Sequence, residues 1–186
     1  DMTAIALFAL SAFILRFSKS SLLLVLSGLL IYLSIITKQS GLFLFTGMVF
    51  SGIFLHRRRI LIFIFSCIIP LVVTVIIYNA TTDGWFFYLT WVMPSNHGII
   101  ETRYLSFFTS DIFPKLLPFV VSGIIFLIHF KKKKPPQEFL FYLFFAGTLF
   151  FSSYLGRIKV GGATNAFIPL IFGGSIFIPV KIGRDT

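Results

Sequence analysis

Charge is scarce in this chain, and acid is scarcest of all. Charged residues make up 12% of the sequence, against about 25% in ordinary soluble domains, and six Asp and Glu stand against sixteen Lys and Arg. Hydrophobic residues reach 57%, Phe alone contributes 26, and the mean hydropathy is +0.97. So little polar surface cannot cover a soluble fold, which leaves an integral membrane protein. Alternation of apolar and polar residues is also missing: a run such as LLLVLSGLLIYLSII is apolar on every face, which excludes a β-barrel and leaves helices. The single cysteine, Cys67, excludes a disulfide framework within the chain and, inside an apolar run, reads as a small buried hydrophobe. No basic leader or small-residue cleavage site precedes the first apolar run, so the chain reads as a piece of a longer protein rather than one opening on a signal peptide. The net charge of +10 does not indicate nucleic acid, because the cations cluster between apolar runs instead of interleaving with aromatics on a polar face. Metal-ligand spacing is absent as well. No cofactor is evident, and a divalent metal is left open.

Apolar runs are what the chain does have. The expected architecture is an all-α transmembrane bundle of about seven spans, near residues 3–15, 21–37, 41–55, 60–78, 115–130, 139–154 and 165–180, with a helical interfacial loop over 79–114. Alternating these spans puts eleven of the sixteen cations on one side: Arg16, Lys19, Arg57 to Arg59, Lys131 to Lys134, Lys181 and Arg184. By the positive-inside rule that side is cytoplasmic. Lys38, Arg103, Lys115, Arg157 and Lys159 fall on the other. HRRR and KKKKPP then read as topogenic charge meeting anionic headgroups.

The outer segments carry the candidate chemistry. Lys38 and Gln39 occupy a turn of only a few residues, TKQSG, which keeps the lysine near the hydrocarbon boundary. The long loop joins Trp85, Phe86, Phe87, Tyr88 and Trp91 to Pro94-Ser95-Asn96-His97, an aromatic run suited to headgroup depth with a histidine at its end. Asn79-Ala80-Thr81 matches an N-glycosylation acceptor pattern. Arg157 and Lys159 precede Gly161-Gly162, whose backbone N–H groups approach an anion without Cβ obstruction, and Asn165 stands at the start of the last expected helix. Cations, exposed amides and a helix start are the parts of a phosphate site.

Three segments together resemble a known group. TKQSGLFLF is similar to the Lys-containing turn of GT-C membrane glycosyltransferases of the glycosyltransferase family 39 and protein O-mannosyltransferase type. GWFFYLTWVMPSNH resembles a Gly-Trp-Phe, Tyr, Pro, His segment in the outer loop of many bacterial members. YLGRIKVGGATNAFIPL resembles their Gly-Arg, Gly-Gly, Asn, Pro segment. The resemblance covers about residues 21–180. It implies transfer of a hexose, as in a mannosyltransferase, from a polyprenyl-phosphate carrier at the extracytoplasmic face of a bacterial inner membrane. It implies that Lys38 holds the lipid phosphate, with Gln39, His97, Arg157, Lys159, Gly161, Gly162 and Asn165 as further contacts. It also implies that the catalytic carboxylate lies upstream of Asp1, since Asp83, Glu101 and Asp111 do not stand in that motif. The acceptor is not named by any residue. A transporter or lipid flippase handling an anionic lipid-linked substrate is the alternative. It would be expected to place ionisable groups within the spans, where these runs hold almost none.

Overall fold

Leu, Ile and Phe on every side of the first four apolar runs leave the backbone no better partner than itself, and each run closes into a helix. The computed structural model describes residues 2–112 and 137–160, and the chain divides into two compact units, residues 1–97 and 98–186. The first contains α1 (Met2–Phe17), α2 (Ser21–Thr37), α3 (Gly41–His56) and α4 (Ile60–Thr81), with a 3-10 turn at Arg57–Arg59. It also contains α5, built from Trp85–Phe87, a π-helical turn Tyr88–Val92 and Met93–Ser95. In the second unit, α6 joins Thr102–Ser106 to the π-helical turn Phe107–Ile112, and α7 covers Gln137–Ile158. Among the described residues the fold is all-α, its only β feature an isolated antiparallel bridge between Ile99 and Lys159. The spans expected near 115–130 and 165–180, and the cations at 115, 131–134, 181 and 184, lie outside the described residues.

Cross-helix contacts set the direction of each helix in the first unit. Ser34 donates to the Ala4 carbonyl at 2.7 Å, and Ser11 and Ser27 donate reciprocally to each other's carbonyls at 2.7 and 2.8 Å, so α1 and α2 run antiparallel. These buried hydroxyls have their partners in the neighbouring helix, which is how polar side chains join helices where no water competes. Gly28 of α2 faces Phe63, Ser66 and Cys67 of α4, and four residues on, the Tyr32 hydroxyl meets Thr74 Oγ1 at 2.7 Å. Both sequences increase together, so α2 and α4 are parallel. At its start α3 lies against Ile35, and at its end His56 reaches Leu15, so it returns alongside α1. Four helices thus alternate in direction. The α1–α2 turn and Arg57–Arg59 share one end, and the Lys38 turn and the C-terminus of α4 share the other.

Membrane crossing is supported at one place by length and composition. Gly41–Thr81 is 41 residues of helix with a mean hydropathy of 3.2 in its most apolar window. Arg57, at φ 44°, breaks it into α3 and α4. The 22 residues of α4 alone reach about 33 Å, enough for a hydrocarbon core of about 30 Å. Its outward face is Leu61, Phe65, Ile69, Val72 and Ile76, all exposed, a stripe that water would not tolerate on a soluble core helix. At 16 and 17 residues, α1 and α2 fall short of the roughly 20 needed for an untilted span.

The loop after α4 is helical over 85–95, as expected, and two residues of positive φ set its direction. Asp83 and Gly84 take φ of 49° and 86°, and the Gly84 N–H returns to the Asn79 carbonyl at 2.9 Å, a Schellman closure that reverses the chain. The Asn79 side chain then accepts from Phe87 N, Thr82 Oγ1 accepts from Phe86 N, and Tyr78 stacks on Phe86 with centroids 5.3 Å apart. So α5 folds back beside α4. Phe87 and Trp91 face Leu71, Val72, Val75 and Ile76 across an apolar groove of about 360 Å³. Phe86, Phe87 and Trp91 lie along the flank of α4 because the two residues of positive φ turn the chain back there.

Candidate functional site

Lys38 is placed by its backbone. Its N–H caps α2 through the Ser34 carbonyl at 2.9 Å, and its carbonyl accepts from Gly41 N at 2.9 Å. Gln39 and Ser40 close the same turn, accepting from Leu42 N and Phe43 N at 3.0 and 3.1 Å. Gly41 is required there: a Cβ would stand 2.9 Å from Ile35 Cα and N, so no other residue lets the turn lie this close to α2. Lys38 and Gln39 are both half-buried. Burial lowers the Lys38 pKa from the ordinary 10.5, because desolvation disfavours the ammonium. An anion placed beside it would oppose that shift, because it favours the charged form.

The same end of this unit carries Asp83 and Gly84, which with Trp85 and Tyr88 line a shallow depression of about 290 Å³. Trp85 and Tyr88 meet edge to face at 5.6 Å. His97 follows α5, exposed, its backbone N–H donating to the Pro94 carbonyl at 3.4 Å.

In the second unit, Arg157 and Lys159 are brought together by a residue that the sequence reading left out of the site. Arg103 Nη1 donates to the carbonyls of both Arg157 and Lys159 at 3.2 Å. A guanidinium at the C-terminus of α7 also meets the negative end of the helix dipole. The residues before it pair with the same segment: Ile100 N donates to the Ile158 carbonyl and Val160 N to the Gly98 carbonyl, each at 2.9 Å. Ile158 is buried while Arg157 and Lys159 on either side are half-buried, so the two cations flank an apolar anchor. Below them, Phe107 is fully buried against Phe150 and Tyr154, with centroids at 5.8 and 5.0 Å, which fixes α6 on α7. Arg103 was legible only as an outer-loop cation, because its partners lie 54 and 56 residues away.

The predicted contacts therefore fall into groups. Lys38, Gln39 and His97 belong to the first unit, Arg157 and Lys159 to the second, and Gly161, Gly162 and Asn165 lie outside the described residues. Among the described residues, no three of His, Cys, Asp and Glu gather as a metal site. The chain matches no protein family model, no curated protein and no solved structure.

Proposed function

We propose that this chain is part of a polytopic membrane glycosyltransferase that uses a polyprenyl-phosphate sugar at the extracytoplasmic face, with Lys38 holding the lipid phosphate. One observation carries the reading. Lys38 is a half-buried lysine, partly desolvated, in a turn held by four backbone hydrogen bonds, at the end of its helical unit opposite Arg16, Lys19 and Arg57 to Arg59. By the positive-inside rule the arginine-rich end is cytoplasmic and Lys38 faces outward. A desolvated ammonium at the edge of the hydrocarbon attracts a phosphate more strongly than one in water. As the acceptor hydroxyl attacks the anomeric carbon, the phosphate retains negative charge, and a fixed cation there lowers the barrier. In the second unit, Arg157 and Lys159, placed by Arg103, offer further cations for phosphate in this reading. None of the described residues is assigned as the base that takes the acceptor proton. The remaining apolar runs complete a seven-span bundle.

The test is transfer of a radiolabelled sugar from a polyprenyl-phosphate donor by the full-length protein in membranes. Lys38→Ala and Arg157→Ala should each lower turnover about a hundredfold, with insertion unchanged, the usual scale for one lost donor to developing charge. Unchanged turnover in both removes the site assignment. Translocation of lipid phosphate in proteoliposomes without sugar transfer would favour a flippase.

A further inference from the structure

We infer that the end of the first unit opposite Lys38 is a built site for the phosphate of an anionic lipid headgroup, formed by Lys19, Arg57 and Arg58 and braced by Arg59. The inference is independent of glycosyl transfer and uses only that part of the proposed function that puts this unit in a bilayer.

Two turns distant in sequence are tied together there. His56 Nε2 meets the Leu15 carbonyl at 2.6 Å, and since a carbonyl only accepts, the proton is on Nε2. Arg59 Nη2 donates to the Lys19 carbonyl at 3.1 Å. These bonds commit His56 and Arg59 to bracing the α1–α2 turn, and Lys19, Arg57 and Arg58 remain as exposed cations beside it. The N-termini of α2 and α4 and the C-termini of α1 and α3 all lie at this end, so the helix dipoles offset one another and the positive charge is that of the side chains. Arg57 is held at φ 44°, ψ −117°, a positive-φ conformation that a bulky side chain avoids unless its surroundings impose it.

Among the described residues of the first unit, no carboxylate stands beside these cations. Within residues 2–97 the sole carboxylate is Asp83, beyond the far end of α4. Like charges crowded into two short turns repel unless an anion from outside joins them. The chemistry of the rim selects a lipid over a free anion. Leu22, in the first turn of α2, is 76% exposed, and Leu61, in the first turn of α4, is 51% exposed. Cations with bare leucines about one turn away match a phosphate headgroup followed by acyl chains.

The experiment uses the purified full chain in detergent, titrated with dioleoylphosphatidylglycerol, with dioleoylphosphatidylcholine or with inorganic phosphate, and followed by native mass spectrometry and melting temperature. Phosphatidylglycerol should bind at least tenfold more tightly than phosphatidylcholine, and R57Q/R58Q should weaken it about thirtyfold, the two-cation value for surface electrostatics. Replacing the four lysines at 131–134 with Gln should leave phosphatidylglycerol binding within about twofold of the parent. Equal binding of the two lipids, or unchanged phosphatidylglycerol binding in R57Q/R58Q, overturns the site. So does an equal loss in the 131–134 variant, which would show bulk charge at work. A melting shift from inorganic phosphate as large as that from phosphatidylglycerol overturns the lipid assignment. If R57Q/R58Q does not fold, Lys19→Gln carries the test, with an expected loss of about fivefold.

Discussion

The close approach of α2 to α4 at Gly28 gives a sharp test of the fold that positions Lys38. A Cβ added to Gly28 would stand 2.6 Å from the Phe63 carbonyl oxygen and 2.6 Å from Ser66 Cβ. Ordinary contact begins near 3.5 Å, so Gly28→Ala forces the helices apart by roughly 1 Å. The obstruction is mostly backbone and cannot rotate away. Overpacking of this kind costs about 1–3 kcal/mol. Alanine offsets it by about 1 kcal/mol through its better helix propensity. Gly147, in α7, isolates the second effect, since a Cβ there meets nothing within 4 Å. Gly147→Ala should therefore stabilise by about 1 kcal/mol, and the difference between the two variants, about 1–3 kcal/mol, is the clash alone.

The assay is reversible unfolding of the full chain in mixed micelles with increasing SDS, followed by helix content. Adding Ser66→Gly to Gly28→Ala should recover less than half the loss, because the Phe63 carbonyl stays in place. If Gly28→Ala were as stable as Gly147→Ala, the helices would not approach at Gly28 and the parallel pairing of α2 with α4 would be wrong.

Three further outcomes are expected. Ser11→Ala and Ser27→Ala each remove a buried hydrogen bond to a carbonyl of the facing helix and should each cost about 1 kcal/mol in the same unfolding assay; no loss in either would deny the α1–α2 register. Burial lowers the Lys38 pKa below 10.5, so the unfolded chain holds that proton more tightly than the folded one. The penalty is full below the folded pKa and fades as pH rises through it towards 10.5. Lys38→Met should thus flatten the alkaline rise in stability, and an unchanged pH profile would contradict the burial. Arg103→Gln withdraws the donor shared by the Arg157 and Lys159 carbonyls. Tryptic cleavage after Arg157 and Lys159 should then accelerate about tenfold, the effect of losing about 1.5 kcal/mol of local protection, and should be partly rescued by Arg103→Lys.

Much of the helical layout was readable from charge punctuation, because cations and turn residues end the apolar runs. Hydrophobicity marks the hydrocarbon boundary rather than the helix end, however. The run expected over 60–78 continues as helix to Thr81, since Asn79, Ala80 and Thr81 are polar or small without breaking the backbone, and Thr81 Oγ1 donates back to the Ile77 carbonyl at 3.0 Å. Asp83-Gly84 is a turn-forming pair, though no turn was expected from it. Its direction was not visible, because that depends on the bond from Gly84 to Asn79 and the stacking of Phe86 on Tyr78, which no composition of rings encodes.

The candidate site divides along the same line. Lys38 was legible because everything that places it lies between Ser34 and Phe43: a helix end, a tight turn and a glycine that a Cβ would displace. Arg157 and Lys159 read as an equivalent signal, two cations beside a glycine pair, yet their placement is not local. It comes from Arg103, Ile100 and Gly98, more than fifty residues away, acting on main-chain atoms that carry no sequence identity. The two groups should therefore fail differently. Substitutions that leave the Ser34–Phe43 segment intact should not move Lys38, whereas a single change at Arg103 should disorder Arg157 and Lys159 without touching either side chain. If Arg103→Gln and Arg157→Ala lower sugar transfer to the same extent, the function of Arg157 is its position. If only Arg157→Ala does, its charge acts without the clamp, and Arg103 is a fastening of the helix end alone.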